Sequence, residues 1–149
     1  MKEILKKRLV TIGVLGILIV LNVISVSATY KSFSKEFVYG NKYTMVTRAD
    51  KDSSHEYVKL LVSAMYKDDG SASSYQRSKA ALKGWNGESY VRCTIKSDYP
   101  QTVIKGVKAK FKLLNAYKKA GKTVKYYAKG NDPDKDCKIS GTMWIDEQE

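Results

Sequence analysis

GVKAKFKLLNAYKKAGKTVKYYAKG, Gly106 to Gly130, is the stretch that decides the fold. In its first part Val107, Ala109, Phe111 and Leu113 alternate with Lys108, Lys110 and Lys112. In its last part Val124, Tyr126 and Ala128 alternate with Lys125, Tyr127 and Lys129. Side chains on a strand point to opposite faces in turn, so each run reads as apolar on one face and cationic on the other. The spacing predicts two strands that pair as a hairpin through Asn115–Lys122, with a shared outer lysine face. A helix over Lys108–Lys119 is the alternative, because Phe111, Leu114, Ala116 and Tyr117 also fit a helical stripe. Ala, Leu and Lys favour helix intrinsically.

The same period runs outward from this stretch. EFVYGNKYTMVTRA reads as strand, turn, strand about Gly40–Asn41, and ESYVRCTIKSD as a strand ending before Tyr99–Pro100. Tyr57 to Tyr66 is apolar enough for a buried strand or a short helix. SASSYQRSKAALKGWNG is small and polar and reads as a loop, with a helical turn at Ser78–Leu82. In CKISGTMWIDEQE, Cys137, Ile139, Gly141, Met143 and Ile145 share one face, and Gly141 marks a bulge or close contact. Asp146 to Glu149 reads as a frayed acidic tail. Some six strands make a mainly β chain, a small antiparallel β-sandwich or barrel-like domain after an N-terminal signal helix.

The signal reading rests on the first 28 residues. MKEILKKR is basic, LVTIGVLGILIVLNVISV is apolar, and Val26 and Ala28 are small residues two apart. That is the pattern of a secretory signal cleaved after Ala28. An uncleaved anchor is the alternative, since the apolar run approaches the length of a membrane span. The division is therefore 1–28 signal peptide and 29–149 a single exported domain. The signal carries four basic residues and one acid, so the chain from Thr29 has a net charge of +9 against +12 for the whole. An exported cationic domain points to an anionic cell-wall polymer or membrane surface as partner, with another exported protein as a further class, and away from nucleic acid. Lysines that serve only solubility are the alternative.

Few residues invite chemistry. Cys93 and Cys137 are an even pair, and an oxidising compartment predicts a disulfide between them; two buried free thiols are the alternative. Asp132, Asp134 and Asp136 have the spacing of calcium-loop ligands. The position that needs glycine holds Cys137, however, and the one that needs glutamate holds Met143, so a turn is expected and no metal. The single His55 with Cys93 makes a poor nucleophile pair on residue types alone. No hydrolase, zinc-protease or phosphate-loop motif is present, so neither a catalytic residue nor a cofactor is assigned. The expected site is a basic face of Lys108, Lys110, Lys112, Lys125 and Lys129 with Tyr127, suited to envelope association.

The C-terminal third, AYKKAGKTVKYYAKGND with ISGTMWIDEQ, resembles a family of small exported Gram-positive proteins of unknown function. Ala116–Tyr117, Ala120, Val124, Asn131 and Ser140–Gly141 carry the resemblance, while Met143 and Trp144–Ile145 interrupt the terminal motif. It implies an exported β-rich module and supplies no site residues. The size, charge and YYA strand also resemble small exported β-sandwich bacteriocins, which implies a secreted antimicrobial or toxin as the second function class.

Overall fold

Nine strands make up a computed structural model that describes residues 29–71 and 73–146. They are β1 (Tyr30–Val38), β2 (Thr44–Asp50), β3 (Tyr57–Tyr66), β4 (Arg77–Trp85), β5 (Tyr90–Arg92), β6 (Gln101–Ile104), β7 (Ala109–Lys112), β8 (Thr123–Gly130) and β9 (Cys137–Trp144). Two single 3-10 turns lie at Lys96–Asp98 and Asn115–Tyr117. The expected signal helix and its cleavage site lie outside the described residues.

The chain is mainly β, in two antiparallel sheets, as expected. One sheet runs β1-β9-β3-β7 and the other β2-β8-β4, with β5 and β6 in tandem along the far side of β4. Their inner faces share one core. Val58, Leu60, Val62, Phe111, Ile139 and Met143 come from the first sheet; Ala80, Leu82, Val124, Tyr126 and Ala128 come from the second. Burying a side chain of this size contributes roughly 1.5–3 kcal/mol, so the two apolar faces hold the sandwich together.

Several expectations need correction. The strands of the opening stretch do not form a hairpin. After Lys112 the chain makes the Asn115–Tyr117 turn and crosses between sheets, so β7 pairs with β3 and β8 pairs with β2 and β4. Arg77–Trp85 is a nine-residue central strand, not a loop with a helical turn. Its inward position 84 is a glycine because a tyrosine ring lies against it. A Cβ on Gly84 would stand 2.5 Å from the Tyr117 ring. Gly141 fits the expected close contact: its Cβ would collide with the Leu61 carbonyl oxygen, opposite the register shift between Val62 and Ala64.

Asp146 is not frayed. It lies fully buried against Lys51, with Nζ 3.0 Å from Oδ1. Lys51 also donates to the carbonyls of His55 and Ile145, and Asp146 accepts from Ser53 Oγ and the Asp52 amide. Burial alone would raise the Asp146 pKa, but the bonds from Ser53, Asp52 and Lys51 together hold it below the usual carboxylate value. This pair pins the loop before β3 to the end of β9.

Candidate cationic face

The predicted disulfide does not form. Both thiols are free and buried. The Cys93 amide donates to the Leu82 carbonyl, whereas Cys137 opens β9 in the other sheet and lines a cavity of about 270 Å³ with Arg77 and Gly130. Positions 77 and 82 of one extended strand are roughly 16 Å apart, and a disulfide needs its Cα atoms within about 7 Å. Burial pushes the Cys93 thiol up to about 12 and raises Cys137 as well, so neither is a poised nucleophile. Two aspartates of the β8–β9 crossing are engaged within the fold. Asp132 accepts from the Asp134 amide and pairs with Lys135 at 3.0 Å, and Asp136 accepts from the Gly40 amide.

The six residues of the expected face divide between two outer surfaces, because β7 and β8 belong to different sheets. Lys108, Lys110 and Lys112 lie with the first sheet. Lys110 stands directly opposite Lys59, and Lys59 opposite Trp144. Lys108 Nζ sits 4.3 Å from the Trp144 ring centroid and Lys110 Nζ 3.9 Å from that of Tyr57. Lys112 lies 3.9 Å from Glu56, a carboxylate it shares with Lys118 at 2.7 Å.

Lys125, Tyr127 and Lys129 alternate with buried residues on β8 and so face outward from the second sheet. The register joins them to basic residues that the sequence reading passed over. Arg48 on β2 is opposite Lys125, Lys125 is opposite Lys83 on β4, and Lys83 is opposite Arg92 on β5. Four cations therefore cross the sheet in one row, each about 4.8 Å from the next in the strand-to-strand direction. None of the four forms an ion pair among the described residues. A second pair, Lys79 opposite Lys129, lies four residues along the strands. Tyr127 separates the two rows, opposite Ala81, whose small side chain leaves room for the ring.

Aromatic rings support the row. Lys125 Nζ is 3.5 Å from the Tyr90 ring centroid and Lys83 Nζ 4.8 Å from that of Tyr127. Tyr90 packs on Trp85 at 5.2 Å, and Trp85 remains 44% exposed. A ring face attracts a cation and orients it without neutralising it. Like charges directly opposite across strands destabilise a sheet by about 0.2–1 kcal/mol per pair. The row contains three such neighbouring pairs, and an anion laid along it would relieve all of them.

The chain matches no family model, no curated protein and no solved structure.

The signal that the sequence reading missed was in β4, where Arg77, Lys79 and Lys83 already alternate with inward Ser78, Ala80, Leu82 and Gly84.

Proposed function

We propose that this is an exported, non-catalytic binding module that associates with a linear anionic polymer of the cell envelope. The observation that carries the reading is the row Arg48–Lys125–Lys83–Arg92, four cations in register, none of which forms an ion pair among the described residues. A polymer with an anion at each repeat matches a straight row on a flat sheet. A membrane would favour large apolar side chains standing above the cations. Here the exposed apolar residues of this sheet are not in register with one another: Met45 is opposite Tyr127, Trp85 opposite Tyr90, Val91 opposite Gly84 and Ile104 opposite Arg77.

Co-sedimentation with washed Gram-positive cell walls over a salt series tests this reading. Binding that falls steeply between 50 mM and 1 M salt supports it, because exposed charges are screened within about 3 Å at 1 M. Equal binding to walls stripped of phosphodiester polymer, or preference for anionic lipid vesicles, overturns it.

A secreted antimicrobial is the second reading, supported by the cationic, aromatic-rich surface and the two-sheet architecture. On that reading the same face meets the envelope of a neighbouring cell. Growth inhibition of related strains by the purified chain from Thr29, lost in Lys83→Glu/Lys125→Glu, distinguishes it from simple wall association.

A further inference from the structure

Thr29 is the first residue after the expected cleavage site, and the fold holds it at two points. The Ile145 amide donates to the Thr29 carbonyl at 2.9 Å, which adds a last rung to the β1–β9 ladder beyond Tyr30 and Trp144. Thr29 Oγ1 donates to Asp52 Oδ2. The Asp52 amide in turn donates to Asp146 Oδ2 at 2.7 Å, so Thr29 is joined to the buried Lys51–Asp146 pair through one residue. Asp146 is served by Lys51, Ser53 and the Asp52 amide. The Asp52 and Asp50 carboxylates belong to exposed residues, and their bonds come from the hydroxyls of Thr29 and Thr123. Neither forms an ion pair among the described residues. Both line a cavity of about 430 Å³ that Thr29, Lys31 and Arg48 also border.

We infer that the Thr29 α-ammonium, freed by cleavage after Ala28, forms an ion pair with Asp52 and so couples removal of the signal to locking of the β1 end. The inference rests on the expected cleavage and is independent of what the cationic face binds. Hydrolysis of the Ala28–Thr29 peptide bond by a signal peptidase adds one water across it. The carboxylate stays on Ala28 and the protonated amine on Thr29. Three bonds separate the nitrogen of a threonine from its Oγ1, which keeps the two atoms about 3–4 Å apart. Oγ1 already touches Asp52, so the ammonium falls in the range, about 4–6 Å, in which opposite charges favour the ionised forms. Before cleavage the same nitrogen is an uncharged amide. Asp50 adds a second negative charge at the cavity, and Lys31 and Arg48 border it without closing an ion pair to either carboxylate. The charges behind it, Lys51 and Asp146, neutralise each other. The link from β1 through Asp52 to the buried pair is therefore complete only once the signal has gone.

Three forms of the chain separate charge from length: one beginning at Thr29 with a free amine, the same chain with that amine acetylated, and one that keeps Ser27 and Ala28. Hydrogen exchange at the Ile145 amide reads the rung itself, and thermal midpoints from pH 6 to pH 10.5 read the charge. The free-amine form is expected to protect Ile145 about two- to fivefold better at pH 6 than either other form, the range of an exposed ion pair. A carboxylate neighbour raises the pKa of the amine. The gain is therefore full below the ordinary α-amino range, about 7.7–8.0, and is lost as pH rises through the folded value. Asp52→Asn keeps an oxygen for the Thr29 hydroxyl but removes the charge, and should abolish the difference between the three forms. If Asp52→Asn does not fold, the free and acetylated forms compared at pH 6 and pH 10.5 decide alone. Equal protection in all three forms at pH 6, or an advantage that survives pH 10.5 or Asp52→Asn, overturns the inference. So does a full-length chain, expressed in a Gram-positive host, whose exported product has a mass that places its first residue elsewhere than Thr29. Cell-wall co-sedimentation of the same free-amine preparation keeps the two readings apart. Extra protection without wall binding overturns the envelope module and leaves the ammonium pair standing; wall binding without extra protection does the reverse.

Discussion

Lys83 on β4 stands directly opposite Lys125 on β8, on the outer face of the second sheet, with Arg48 and Arg92 extending the same line. Two lysines in this position oppose folding, and their nearest aromatic neighbours, Tyr127 and Tyr90, orient them without neutralising them. A surface selected only for solubility would intersperse the two signs of charge.

Stability and binding should therefore move in opposite directions at this pair. Lys83→Glu places a carboxylate between Lys125 and Arg92. It is expected to raise stability by about 0.5–1 kcal/mol, as an opposite-charge pair replaces like-charge pairs. The same substitution weakens polyanion binding several-fold. Urea unfolding midpoints and cell-wall binding, measured on the same preparations, check this. A variant that loses stability and binding together would point to a structural role for Lys83.

The buried pair Lys51–Asp146 is a structural latch. Breaking such a pair from one side leaves an uncompensated buried charge and costs about 3–5 kcal/mol. Lys51→Met is expected to fall in that range by urea unfolding. The pH dependence follows from the lowered Asp146 pKa. A depressed carboxyl stabilises the fold fully above its unfolded value, near 3.9, and that contribution is lost as pH falls through the folded value. Thermal midpoints measured from pH 7 to pH 2.5 should drop at the acid end in the wild type and drop less in Asp146→Asn. Parallel curves would show that Asp146 does not carry the acid sensitivity.

At Gly141 there is no space for a side chain, because the Leu61 carbonyl occupies the Cβ position. Gly141→Ala should force β9 and β3 apart and cost at least about 2 kcal/mol. Gly87, which has a positive φ and open space around it, gives a contrast: Gly87→Ala is strained only by its backbone and should cost about 1 kcal/mol. Equal losses would contradict the packing account.

The two thiols should be silent in the native state. Burial of both, with the Cys93 pKa near 12, leaves almost no accessible thiolate at neutral pH. Iodoacetamide at pH 8 is expected to modify neither cysteine in buffer and both in denaturant, with no reductant needed. A modification that required prior reduction would reinstate the disulfide.

Much of the architecture was legible because alternation is a local property. β8 shows it residue by residue, and β9 shows it from Cys137 to Ile145 with Gly141 at the close contact. What failed was non-local. Nothing in Asn115–Lys122 says that the chain changes sheets rather than turning back, so the lysines of β7 and β8 were placed on one face instead of two. β4 was hidden because its inward residues Ser78, Ala80 and Gly84 are small. At Gly84 the constraint is the Tyr117 ring from another segment, which local composition cannot reveal. Asp146 looked like tail because its partner Lys51 is 95 residues away. Three of the four residues of the candidate row, Arg48, Lys83 and Arg92, were missed for the same reason, since β2, β4 and β5 were not recognised as members of the sheet that holds β8.

The central claim is that the Lys83–Lys125 row binds an anionic envelope polymer, and salt-resolved binding to washed cell walls tests it most directly. The chain from Thr29 and its Lys83→Glu/Lys125→Glu variant, both verified as folded, are titrated onto walls at 50 mM, 150 mM and 1 M salt. The account predicts strong wild-type binding at 50 mM that collapses by 1 M, and at least a tenfold loss in the variant at 50 mM. Wild-type binding that ignores salt, or a variant that binds as well as the wild type, would contradict it.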